Sequence, residues 1–297
     1  MRKKDYSGKA LKWKTRKAKF KKMLKYLIPI SILLFIVFYF LIDFTRINNN
    51  TYHSSVVKGD IVVVNKLSYG PYSLNNIPFT DIPMYSLRVF DFSRPLEGDV
   101  LEIQQIVTDT TTVTQKVINH LKKCVGKPGD TFELTDTTLV VNRRKYNRQS
   151  FNYPAVNLDS ADLDIIDFNR SFYNENITDI VVPSKGTEIN LNAETVKFWK
   201  LLIEADDLDV IVTAENEKVF LNGTKTDSYE FKNDFYIVIG PPSDTGSNEI
   251  FWSMIPFNNI IGKAEFVAFS VDSLSGMNKI TEVFDRIRWS RIFNSVE

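Results

Sequence analysis

The side chains that most often carry catalysis or metals are scarce in this sequence. There is one cysteine, Cys124, which excludes an intrachain disulfide and any cysteine-cluster metal site. The two histidines, His53 and His120, leave little for a zinc site, and a histidine-based triad would have to draw on one of them. No metal and no cofactor are expected. Lys122 lies between Leu121 and the Cys124-Val125 pair in a β-branched run. Taken alone, a lysine in a strand is a surface lysine. Cys124, further along the same face, reads as buried packing.

The elements around these residues begin with a strong charge asymmetry. Residues 1–25 hold 12 basic residues and one acidic residue, a local charge of +11. The other 272 residues hold 25 basic and 35 acidic residues, a charge of −10. A nucleic-acid binder would carry its basic surface on the folded body, so no nucleic-acid partner is expected. Tyr26 to Ile42 is a run of 17 residues without a charge. As a helix it spans roughly 25 Å, close to a hydrocarbon core of ~30 Å. Pro29 would fall in its first turn, where a missing N–H costs little. No small-x-small site follows, since the next residues are Asp43-Phe44-Thr45-Arg46, so an uncleaved anchor is expected. The basic flank puts the N-terminus in the cytoplasm and the acidic body outside. The lipid bilayer is therefore an expected partner, with residues 1–25 as a cytoplasmic tail, 26–44 as the anchor and 45–297 as the extracytoplasmic domain.

Beyond the anchor, short β-rich runs at Asp60–Val64, Asp99–Ile103, Val113–Val125, Thr131–Leu134 and Leu139–Val141 follow turn signals. Gly59-Asp60, Gly98-Asp99 and Gly129-Asp130 mark strand starts. Strands resume at Phe235–Ile239 and Ala264–Phe269. The pattern predicts a mainly antiparallel β domain rather than βαβ units. Residues 146–229 differ and read as an inserted α/β segment. It contains an acidic stretch, Asp159–Asp179, and a helix over Asn192–Glu204, capped by Asn192. Val196, Trp199, Leu202 and Ile203 give that helix an apolar core stripe. The closing run Phe284–Phe293, basic and aromatic, reads either as a membrane-surface segment or as a packed terminus.

Four blocks in this order resemble the bacterial type I signal peptidases, with the Bacteroidetes branch the nearest in character. That family's S-M-x-P-T-L-x-x-G-D and N-K-L-S-Y-G are met in their second half by Lys58-Gly59-Asp60 and Asn65-Lys66-Leu67-Ser68-Tyr69-Gly70. Its G-D-V is met by Gly98-Asp99-Val100. Its K-R-x-x-G-x-P-G-D is met by Lys122-Lys123-Cys124-Val125-Gly126-Lys127-Pro128-Gly129-Asp130. Its W-G-x-V-P and G-K-A are met, at the same spacing, by Trp252-Ser253-Met254-Ile255-Pro256 and Gly262-Lys263-Ala264. The resemblance implies an N-terminal transmembrane helix, an antiparallel β-rich peptidase domain, and signal peptides of exported proteins as partners.

The resemblance also implies a Ser/Lys dyad, in which serine attacks the peptide carbonyl and a neutral lysine takes its proton. Lys122 falls on the general-base position. Counting back from Gly59, the nucleophile position falls on Thr51, a hydroxyl with an added methyl that restricts χ1. The oxyanion donors fall on Asn49 and the Thr51 N–H. Ser54 and Ser55 read as turn residues. The block that orients the lysine reads Gly240-Pro241-Pro242-Ser243-Asp244-Thr245-Gly246-Ser247-Asn248-Glu249-Ile250, so the family's serine becomes Gly246, with Ser247 one position off. Three functions stay open on the sequence: a peptidase that cleaves signal peptides, an impaired homologue that binds signal peptides or a membrane partner, and a membrane-anchored processing enzyme for other membrane-proximal substrates.

Overall fold

The computed structural model describes residues 6–47, 55–73, 88–109, 114–135, 138–147, 177–192, 194–215, 218–240, 251–271, 284 and 286–296. Helix α1, Tyr6–Ile36, ends in a π-helical turn, Val37–Leu41. Within this stretch Lys19–Leu41 is long and apolar enough to cross a membrane. Leu27, Ile30 and Leu33 are exposed, as on a helix that faces lipid. The basic segment before the apolar run is helical too, which corrects the place of Pro29. It lies in the interior of α1 and not in a first turn, a position that membrane helices tolerate.

The strands follow in chain order: β1 (Ile42–Arg46), β2 (Asp60–Asn65), β3 (Val100–Asp109), β4 (Thr114–Gly126), β5 (Thr131–Leu134), β6 (Thr138–Val141), β7 (Arg144–Asn147) and β8 (Ile177–Val181). After β9 (Glu188–Asn190) comes helix α2 (Val196–Asp206). Then follow β10 (Val212–Glu215), β11 (Lys218–Leu221), β12 (Thr224–Thr226), β13 (Ser228–Glu230), β14 (Phe235–Gly240), β15 (Phe251–Pro256) and β16 (Ile260–Ser270). The main sheet has the order β1-β2-β16-β3-β4-β14-β15, each neighbouring pair antiparallel. The fold is therefore mainly β and antiparallel behind an N-terminal apolar helix.

The three Gly-Asp pairs build one and the same turn. Gly59, Gly98 and Gly129 take φ of +91°, +97° and +85°, a region that favours glycine. The N–H of Asp60, Asp99 and Asp130 closes each turn onto the carbonyl of Val57, Leu96 and Lys127. Each carboxylate also accepts from the N–H of that same residue, at 2.9, 2.9 and 2.7 Å. The turns deliver the chain into β2, β3 and β5.

The inserted segment shares its core with the main sheet. The strands β5 to β8 form a second sheet ordered β7-β6-β5-β8, and α2 buries Val196, Phe198, Trp199, Leu202 and Ile203. These join Phe132, Ile237, Ile239, Trp252 and Met254 in one apolar cluster, with the Phe132 and Trp252 rings 6.0 Å apart. The helix starts at Val196, later than the sequence suggests. Asn192 Oδ1 instead accepts from the N–H groups of Glu194 and Thr195, at 2.9 and 2.8 Å, and holds a turn before the helix.

The C-terminal run is a packed segment. The pairing of β16 with β3 spans only Ile260 to Lys263, so the rest of that strand edge needs cover. Residues 288–296 supply it through Arg288 N to Ser270 O, Phe293 N to Val267 O, Val267 N to Asn294 O and Val296 N to Glu265 O. Val296 joins Ile47 and Val56 in a buried cluster, while Trp289 and Phe293 stay exposed.

Candidate active site

Lys122 stands on β4, opposite Leu101 of β3 and two residues before Cys124, which faces Val238 of β14. Strand alternation puts these four on one face of the sheet. Leu101, Cys124 and Val238 are buried in one cluster with Ile103 and Ile255. The lysine is half-buried, and its Nζ donates to Ser253 Oγ at 3.3 Å. Ser253 lies on β15, opposite Val238 and buried. Gly240 makes room for the lysine stem, because a Cβ there would lie 3.0 Å from Lys122 Cγ. A lysine on a central strand, held by a hydroxyl on another strand, has a defined place.

The neighbouring titratable groups are quiet. Burial, with the Asp99 carboxylate second, pushes the Cys124 thiol up to about 12, so it is neither a thiolate nor a nucleophile at neutral pH. Burial and then the charge of Lys122 push His120 down to about 4. It is an uncharged imidazole whose Nε2 has no hydrogen-bond partner among the described residues.

Two further motif positions act as ties between strands. Asp99 accepts from Tyr69 Oη at 2.8 Å and pairs with Lys263 at 2.7 Å, so three separate blocks meet at one carboxylate. Burial pushes that carboxyl up, but Lys263, the Leu96 N–H and Tyr69 outweigh burial and hold it below the usual range. Lys66 is fully buried, 3.3 Å from Asp43 and 3.4 Å from the Tyr39 carbonyl, and fastens the sheet to the foot of α1. Beside it, Glu102 is buried in contact with Thr45 and Asn119. Burial first, then Asp43, pushes its carboxyl up to about 8.

Asn49, Thr51, Ser54, Gly246 and Ser247 lie outside the described residues. The chain on either side of the nucleophile position is described. Ile47 N donates to Asp60 O at 2.9 Å and Gly59 N to Ile47 O at 2.8 Å, which shuts the base of the segment between them. Sequence reasoning missed Ser253 as the partner of Lys122. The signal was present, since Ser253 is the residue at the glycine of W-G-x-V-P.

The fold and the site together describe a mainly antiparallel β protein behind an apolar N-terminal helix, with a half-buried lysine held by a hydroxyl. The chain belongs to the signal peptidase family, peptidase S26, whose model matches residues 20–269. It is similar to signal peptidase I of Buchnera aphidicola, 26% identical over 87% of this chain and 80% of that protein. Signal peptidase I of Rickettsia typhi is 23% identical over 82% of this chain and 81% of its own length. That of Haemophilus influenzae is 23% identical over 91% and 74%. These likenesses set the chain among the bacterial type I signal peptidases.

Proposed function

We propose that this protein cleaves signal peptides from exported proteins with a threonine/lysine pair. Lys122 accepts the proton of Thr51 as that hydroxyl oxygen attacks the peptide carbonyl. The Thr51 N–H and an N–H at Asn49 face the oxyanion, and each such donor is worth about 3–4 kcal/mol. Lys122 then returns the proton to the leaving amine, and water releases the acylated Thr51 by the same base. The observation that carries this reading is the Lys122–Ser253 contact of 3.3 Å. It supplies the lysine with an orienting hydroxyl although Gly246 replaces the family's serine.

The arrangement suits a substrate held in the same membrane. Residues 1–25 form the cytoplasmic tail and 26–41 the single span of the bacterial inner membrane, shorter than the expected 26–44 because β1 begins at Ile42, and the residues beyond form the extracytoplasmic domain with its insertion at about 146–229. The supporting observations are the +11 charge before the apolar run and the −10 charge after it. The test uses the full chain in detergent with a synthetic signal-peptide substrate. Cleavage by the wild type, lost in Lys122→Ala and Thr51→Val, is the expected result. Binding of the peptide without cleavage would instead favour the impaired homologue.

A further inference from the structure

Two guanidinium groups of the C-terminal segment hold the stretch from Ser55 to Asp60. Asp60, from the first Gly-Asp turn, is 0% exposed. Arg291 grips it with both sides of its fork, Nε donating to Oδ1 at 3.1 Å and Nη2 to Oδ2 at 2.6 Å. Ser270 Oγ donates to Oδ1 at 2.6 Å. Arg291 Nη2 also donates to the carbonyl of Ser55 at 2.8 Å. Arg288 adds a second hold, with Nε on Ser270 Oγ at 2.8 Å and Nη2 on the Lys58 carbonyl at 2.7 Å. The tail thus grasps the chain at 55, 58 and 60, just above the backbone bonds that join Ile47 to Gly59 and Asp60.

This arrangement exceeds what a turn needs. The turns at Asp99 and Asp130 have the same backbone, and neither carboxylate is held by an arginine among the described contacts. Burial by itself would raise the Asp60 carboxyl, yet Arg291, Ser270 and the Val57 N–H outweigh it and hold Asp60 below the usual range. A bidentate guanidinium fixes direction as well as charge.

We propose that Arg291 is a positioning residue of the peptidase site, which fixes the 55–60 stretch at the point where the chain that carries Thr51 leads into the sheet. The inference rests on the peptidase reading above. Its physical basis is the steep cost of misplacement, about 100-fold in rate for ~1 Å. A lysine at 291 keeps the charge beside Asp60 but lacks the fork that binds both carboxylate oxygens and the Ser55 carbonyl at once.

The experiment compares the full-length wild type with Arg291→Lys in detergent, measuring kcat, KM and amide hydrogen exchange. We expect kcat to fall roughly 10- to 100-fold with KM changed less than about twofold. Exchange should rise in peptides covering 47–60 and stay unchanged over β14 and α2. Wild-type kcat in Arg291→Lys would overturn the inference, and so would exchange that rises evenly across the protein. A wild type that cleaves nothing would sink the peptidase reading by itself. The exchange comparison would then decide the clamp: a local rise over 47–60 upholds it, and no change there overturns it.

Discussion

Ser253 is the residue whose chemistry is most exposed to test. The family has glycine at this position and carries its lysine-orienting serine in the preceding loop, whereas this chain has Gly246 there and a hydroxyl at 253 within 3.3 Å of Lys122. On the proposed reading, Ser253 takes the orienting role that the resemblance implies for the loop serine. Ser253→Ala, and equally Ser253→Gly, should therefore lower kcat about 10- to 100-fold in the signal-peptide assay while leaving KM near its wild-type value. A second residue-scale expectation concerns Gly240. Its φ is unremarkable, but a methyl there meets Lys122 Cγ at 3.0 Å and must push the lysine stem aside. Gly240→Ala should lower kcat several-fold with little change in thermal midpoint, which a parallel melting curve checks. The placement of Lys122 on a strand beside buried Cys124 was legible in the sequence, because its block keeps the spacing of Gly126, Pro128 and Gly129. Ser253 was not, because its partner sits 131 residues away and only the sheet register brings the two together.

At the scale of elements, the shared Gly-Asp turn allows a controlled comparison. A Cβ on Gly59 would lie 2.0 Å from the Val271 carbonyl oxygen, whereas one on Gly129 meets nothing within 4 Å, and both residues have positive φ. Gly129→Ala should cost about 1–2 kcal/mol from backbone strain alone. Gly59→Ala should cost clearly more, on the order of 3 kcal/mol or above, because the β2–β16 end must also give way. Denaturant unfolding of the two variants measures the difference. Where β1 meets the sheet, Glu102 gives a pH dependence. A carboxyl raised to about 8 in the folded protein binds its proton more tightly folded than unfolded. Its stabilising contribution is complete below the unfolded value and is lost as pH rises through about 8. Glu102→Gln keeps the neutral shape and cannot ionise when unfolded, so its melting temperature should match the wild type near pH 4 and exceed it by a margin that grows up to about pH 8. The central strands were legible from β-branched runs and Gly-Asp turns. β1 was not, since Ile42–Arg46 is too short to alternate visibly and follows an apolar helix without a break. The start of α2 was misplaced because Asn192 uses its side chain for the preceding turn.

For the whole molecule, the charged N-terminal helix, the apolar stretch after it and the acidic domain together support the proposed orientation. Protease added to intact spheroplasts should digest the domain beyond about residue 45 and spare the basic tail; digestion only after lysis would reverse the topology. Lys66 meets Asp43 on β1 and the Tyr39 carbonyl at the end of the apolar helix, which ties that helix to the sheet. The most direct measurement places the full-length protein and a complete preprotein in the same lipid vesicles and identifies the new N-terminus by mass spectrometry. The expected result is one cut, at the end of the signal peptide, made by the wild type and absent with Lys122→Ala. A preprotein left whole by the wild type, or cut as fast by Lys122→Ala, would contradict it.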